Sequence, residues 1–319
     1  TGPVKVLVTG ASGFVGTATC TRLVIQGMDV LGVGRDVPAK PVQEVEYRLV
    51  GELGPNTDWR GVLVGVDTIV HCAARVHVMR ETVADPATAF HTANVLGTLQ
   101  LARQAAAQGV RRFVFLSSVK VHGEGGLNAY RETDVLAPRD AYGVSKYEAE
   151  VGLREIATDV GIELVVVRPP LVYGPGVKAN FRLLMQALSR GIPLPLGAIH
   201  NLRSLVGLGN LVDLIATCIE HPRAANETFL VSDGEDLSTT ELTRRLAVAM
   251  DRPARLVSVP GTLLTLGLNV LGKGDLARRL CGTLLVDINK ARRLLGWVPP
   301  IRVDEGLRET AEYYLRHQC

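Results

Sequence analysis

Tyr142 and Lys146 stand four residues apart in Tyr-Gly-Val-Ser-Lys, a spacing that sets both side chains on one helix face within reach of one ligand. An ammonium beside a phenol favours the phenolate, and a positively charged nicotinamide ring would add to that effect. Tyr142 then becomes a plausible acid or base near neutral pH. Taken singly, Tyr-x-x-x-Lys also arises as an ordinary surface pair. Ser118 gives it company, because it closes the apolar run Phe113-Val-Phe-Leu116. Ligands meet open α/β sheets at the C-terminal ends of buried strands, where a hydroxyl can donate to a substrate oxygen as charge develops.

A third group is the loop at residues 9–16, Thr-Gly-Ala-Ser-Gly-Phe-Val-Gly, between the apolar run Val4-Lys-Val-Leu-Val8 and a helix over 18–26. A glycine turn at a strand-to-helix junction presents bare N–H groups and the helix dipole to a pyrophosphate. Gly10, Ser12, Gly13, Phe14, Val15 and Gly16 are therefore candidate dinucleotide contacts. Tight packing alone would also explain three glycines, but the preceding strand favours the dinucleotide.

Elements that must position these groups follow in alternation. Short β-branched runs at 29–34, 46–50, 67–72, 113–116 and 164–167 are separated by helical patterns, the longest over 86–108 and 141–159. That rhythm predicts an α/β fold, a doubly wound parallel (Rossmann) sheet over residues 1–170. After Pro170, Gly-Pro-Gly and Pro-Leu-Pro break the rhythm. Residues 171–319 are expected to form a smaller, mostly helical substrate lobe, with one strand near 226–234 returning to the sheet.

The second strand ends at Gly34, where an acidic residue would bind the adenosine ribose, and Arg35 follows. A guanidinium there suits a 2′-phosphate and adenine stacking, so NADP(H) is the preferred cofactor and NAD(H) the other possibility. The alternative is a solvated Arg35 paired with Asp36. Glu52 and Leu53, on the next loop, are placed near the adenine by position only.

Composition narrows the class further. With 47% hydrophobic and 21% charged residues among 319, the chain is globular rather than disordered. A net charge of +3 without any basic stripe gives no reason to expect nucleic acid. Five scattered cysteines without a Cys-x-x-Cys pair argue against disulfides or a metal site and suit the cytoplasm. No signal peptide is visible. The longest apolar run, residues 262–271, falls short of the ~20 residues of a membrane span and lacks a flanking basic face, so no membrane partner is expected.

Together these motifs resemble an extended short-chain dehydrogenase/reductase of the nucleotide-sugar epimerase and dehydratase group. The resemblance covers the glycine loop, His71-Cys-Ala-Ala74, Asn94-Val-Leu-Gly-Thr98, Ser117-Ser118, Tyr142-Gly-Val-Ser-Lys146 and Arg168-Pro-Pro-Leu-Val-Tyr-Gly-Pro175. It implies Ser118, Tyr142 and Lys146 as catalytic residues, with Lys146 also on the nicotinamide ribose. Cofactor contacts are implied from Ala73, Ala74, Arg75, Asn94, Ser117, Pro169 and Val172. It implies a nucleotide-sugar substrate, held by Asn180, Arg203, Arg278 and Arg279, and a homodimer through helices 86–108 and 141–159. His77 and His200 are further candidates, each also readable as an ordinary loop residue.

Departures from the family pattern narrow the reaction. Dehydratases of this group carry an Asp-Glu pair after the catalytic hydroxyl residue, where this chain has Val119 and Lys120. Lys120 is therefore a candidate substrate contact rather than an acid or base. The family's aspartate is also missing near Gly207 and Asn210. The expectation is a reductase of a UDP-4-keto-6-deoxy-N-acetylhexosamine, because NADP suits net reduction. Its alternative is a UDP-sugar 4-epimerase with tightly bound NAD. A cofactor-sensing regulator and a reductase of small ketones are more distant rivals.

Overall fold

A computed structural model of the protein describes residues 2–76 and 84–317. His77 and Cys319 lie outside the described residues. Seven parallel strands form one sheet: β1 (Lys5–Thr9), β2 (Asp29–Gly34), β3 (Val45–Leu49), β4 (Thr68–His71), β5 (Arg112–Leu116), β6 (Glu163–Arg168) and, after two shorter strands, β9 (Thr228–Leu230). Their spatial order is β3-β2-β1-β4-β5-β6-β9, and β7 (Leu171–Tyr173) pairs separately with β8 (Leu205–Gly207). The order reverses between β1 and β4, registered Thr9 to His71, which opens a crevice at the C-terminal edge. The doubly wound fold expected from the alternating runs is present.

The continuous apolar strands reflect burial on both faces. On one face α1 (Phe14–Ile25) and α6 (Leu208–Glu220) pack on Val6, Val8, Val114 and Val165. On the other, α3 (Thr98–Ala107) and α4 (Ala141–Val160) pack on Leu7, Ile69, Phe113 and Val166. Arg22 of α1 meets Asp213 of α6 at 2.5 Å, and the Trp297 indole donates to the same carboxylate. Arg112 is buried and donates through one nitrogen to the carbonyls of Cys218, Ile219 and His221, closing the C-terminus of α6. The chain past residue 170 thus returns to the sheet layer through α6 as well as β9.

A third core joins β7 and β8 to α5 (Ala179–Ser189), α7 (Thr239–Ala249) and α11 (Val303–Arg316) around Tyr173, Phe181, Met185 and Leu307. The helices α8 (Gly261–Val270), α9 (Gly274–Cys281) and α10 (Asn289–Leu295) complete the chain. No helix among the described residues is long and apolar enough to cross a membrane.

The helix expected over 86–108 is interrupted. It comprises α2 (Pro86–Phe90), a π-helical stretch His91–Gly97, and α3. The apolar spacing of 3.6 residues does not register one wide turn, and that turn carries Asn94.

Candidate active site

The glycine loop folds as a cradle at the N-terminus of α1. Gly13 N donates to Gly10 O at 2.9 Å, and no side chain caps the helix. Its first-turn N–H groups are thus left for a ligand. A Cβ on Gly16 would lie 1.9 Å from Gly10 O, so only glycine permits this approach. Gly16→Ala is expected to cost about 1–3 kcal/mol of stability and to weaken dinucleotide binding, read by denaturant unfolding and calorimetric titration. These features fit a dinucleotide pyrophosphate.

Behind the loop, His71 is buried between Thr9 Oγ1 at 2.7 Å and Thr98 Oγ1 at 2.8 Å. Burial pushes its pKa down to about 3, with the Lys146 charge adding to this. His71 is therefore neutral and ties β1, β4 and α3 together. Asn94 Oδ1 accepts from Arg75 N at 2.8 Å, while its Nδ2 donates to Arg75 O and to Ser145 Oγ, both at 3.0 Å. One amide thus fixes the segment after β4, beside Ala73 and Ala74, against α4.

Tyr142 opens α4 and packs edge-on to Phe90, ring centres 6.1 Å apart. The Lys146 ammonium lies 5.9 Å from the Tyr142 ring centre and donates to Leu116 O at 2.9 Å. Burial raises the Tyr142 pKa to about 12, with the Asp140 charge adding to it, and burial lowers that of Lys146 to about 8. In this state Tyr142 is a phenol. Asp140 caps α4, accepting from Gly143 N at 2.6 Å, and pairs with Lys120 Nζ at 2.5 Å. A Cβ on Gly143 would lie 2.9 Å from Lys120 O, so the glycine lets the turn after Ser118 close on α4.

Ser118, two residues past β5, caps a 3₁₀ turn, Val119–Val121. Its Oγ accepts from Lys120 N at 3.2 Å, which leaves the hydroxyl proton to donate elsewhere. Val119 is buried, and Lys120 is engaged by Asp140 and, at 3.6 Å, by Glu124. Neither position offers the paired acid and base of an elimination.

Below these groups lies a network that the sequence does not announce. The Glu150 carboxylate is fully buried and accepts from Ser117 Oγ at 2.6 Å and from Arg168 at 2.9 and 2.6 Å, and pairs with Arg154 at 3.1 Å. Burial pushes its pKa up, but the Arg168 hydrogen bonds and charge, with Ser117 and Arg154, hold it below the ordinary value. Arg168 also meets His122 Nε2 at 3.1 Å. The nearest sequence signal is that Glu150 follows Lys146 by one helical turn. Asp140 had a clearer one, an aspartate immediately before a helix.

The remaining candidates are scattered along the crevice and the second part of the chain. Arg35 is exposed just beyond β2, where the Gly34 carbonyl accepts from Val50 N. Glu52 and Leu53 border a groove of about 740 Å³ with Thr92. Pro169 is buried, its carbonyl accepting from Val119 N, and Val172 is half-buried in β7. Arg203 donates to Gly282 O at 3.2 Å and Arg278 O at 3.4 Å. Arg278 and Arg279 are exposed on α9, and Arg278 is paired with Asp275. Asn180 is exposed in the first turn of α5.

His200 borders a groove of about 850 Å³ with Ile199, Asn201, Thr265 and Thr283. A separate cavity of about 490 Å³ between α5 and α11 is lined by none of the candidate residues. Asn210 fills the place of the family aspartate, donating to Asp233 Oδ1 and Ile301 O and accepting from Ile301 N. The local geometry is therefore fixed by a buried amide.

A glycine cradle at a sheet crevice, with a serine, a tyrosine and a lysine at its edge, defines an extended short-chain dehydrogenase/reductase. Residues 6–232 match the model of the NAD dependent epimerase/dehydratase family, and the chain belongs to that family. It is 46% identical to a UDP-glucose 4-epimerase of Vibrio cholerae, over 98% of this chain and 96% of that one. MoeE5 in complex with UDP-glucose and NAD is similar at 25% identity and a TM-score of 0.77, over 99% and 100% of the two chains. The UDP-glucuronic acid 4-epimerase of Bacillus cereus, in complex with NAD, shares the fold at 20% identity, a TM-score of 0.79, and 99% and 98% coverage. The likeness to the Vibrio cholerae enzyme favours the epimerase alternative over the reductase expectation.

Proposed function

We propose that the protein interconverts the C4 epimers of a UDP-hexose on bound NAD. One observation carries this reading: the 46% identity to a UDP-glucose 4-epimerase along nearly the full length of both chains. A bound nicotinamide supplies the hydride acceptor and donor. Tyr142, in the phenolate form that the Lys146 ammonium stabilises, would take the proton of the C4 hydroxyl. Ser118 donates to the C4 oxygen. Tyr142 would then return the proton to the C4 oxygen once the sugar presents its other face to the bound nicotinamide. Val119 and Lys120 leave no acid–base pair to expel a neighbouring hydroxyl.

Arg203, Arg278, Arg279, Asn180 and Lys120 are assigned to the UDP-sugar on the strength of the motif resemblance. Arg203 has the most support, since it adjoins Gly282 and the groove lined by Asn201 and Thr283. Pairing of two copies through the helical segments over 86–108 and 141–159 is supported by the part-exposed Leu96, Val144 and Val151.

The purified protein, given UDP-glucose and no added cofactor, is expected to form UDP-galactose. Failure to do so, with NADPH oxidised by a UDP-4-keto sugar instead, would overturn the epimerase reading. That second reading rests on Gly34 and the exposed Arg35, which favour NADP(H). Under it, Arg35→Ala weakens NADP binding by about tenfold or more and leaves NAD binding unchanged, as charge-assisted phosphate bonds require. Equal affinity for the two dinucleotides before and after substitution removes the support for NADP.

A further inference from the structure

The longest apolar run of the chain forms α8, and none of that helix is buried. Leu263, Leu266 and Val270 recur at i, i+3 and i+7, so they share one face, and they are 60%, 62% and 79% exposed. Leu271, just past the helix, is 70% exposed. Thr262, Thr265, Leu266 and Asn269 line the groove beside Ile199. Leu264 and Leu268 are half-buried, so α8 carries aliphatic side chains on its outward face as well as toward the protein.

A basic rim accompanies that face. Residues 261–272 carry no charge, Lys273 follows at once, and α9, which packs on α8, exposes Arg278 and Arg279. Over residues 253–283 the charges are Arg255, Lys273, Arg278 and Arg279 against Asp275 alone, so this stretch holds the net +3 of the entire chain. Lys273 and the helix that follows it supply the basic edge of the apolar run.

We propose that α8 and α9 form a peripheral docking surface for an anionic lipid bilayer. Leu263, Leu266 and Val270 enter the headgroup boundary, while Lys273 meets the anionic headgroups. A second copy of this chain fits the surface less well. Ten residues make a helix about 15 Å long and roughly 10 Å wide, far below the ~800 Å² per partner of a stable interface. A two-fold contact would also set one basic rim against another. Docking here would bring the groove beside α8 to the lipid surface.

The test is sedimentation of the full chain with phosphatidylcholine vesicles, with and without about 30% phosphatidylglycerol. Anionic vesicles are expected to bind it about tenfold or more tightly than neutral ones, with loss of binding at high salt. Leu263→Ser with Val270→Ser, and separately Lys273→Glu, should release the protein while thermal unfolding and dinucleotide binding stay unchanged. No binding to anionic vesicles, or equal binding to both kinds, would overturn the proposal. So would vesicle binding that survives Leu263→Ser with Val270→Ser while a concentration-dependent self-association is lost.

Discussion

Replacing Tyr142 by Phe is expected to lower kcat by about 10²–10⁴-fold, the range a positioned general acid–base group supplies. The ring keeps its edge contact with Phe90 and loses only the hydroxyl, so folding and dinucleotide binding should hold. Burial and Asp140 raise this phenol to about 12, so below that value its phenolate fraction grows with pH. For sugar oxidation, kcat/KM of the wild-type enzyme should therefore rise with pH. In Tyr142→Phe the rise should disappear, whereas an equal pH dependence in both enzymes would assign the proton transfer elsewhere.

Glu150→Ala should produce the largest loss of stability. Glu150 and Arg168 are both buried and joined by two hydrogen bonds, and removing the carboxylate leaves a guanidinium unpaired in the core. Breaking a buried pair from one side costs about 3–5 kcal/mol, measurable by denaturant unfolding. Adding Arg168→Met to Glu150→Ala should recover part of it. The folded-state pKa of Glu150 lies below its unfolded value of 4.5, so its contribution is full above that value. It fades as pH falls through the lower, folded pKa. A loss that stays constant through acid pH would contradict this role for the carboxylate.

What the sequence made legible was what local spacing encodes. The glycine loop after β1, the Tyr142 and Lys146 helix face and Ser118 at a strand end each depend on a few consecutive residues. The alternation of runs gave the sheet for the same reason. Groups that act across the fold carried no such mark. His71 bridges Thr9 and Thr98 from different elements, Glu150 draws in Ser117 and Arg168, and Arg22 meets Asp213 of a helix far along the chain. The π-helical turn that aims Asn94 hides inside a regular apolar pattern. Asn210 replaces an aspartate through hydrogen bonds visible only once Ile301 and Asp233 are placed.

Choosing between epimerase and reductase was beyond these motifs, because both chemistries use Ser118, Tyr142 and Lys146 alike. Resemblance along the whole chain favours the epimerase, whereas Gly34 and Arg35 pointed to a cofactor suited to reduction. The most direct test follows the hydrogen at C4 itself. UDP-glucose deuterated at C4 should yield UDP-galactose that keeps deuterium at C4, and the protein incubated in heavy water should introduce none there. Washout of that deuterium to solvent, or no UDP-galactose at all, would contradict hydride transfer and return between C4 and a held nicotinamide.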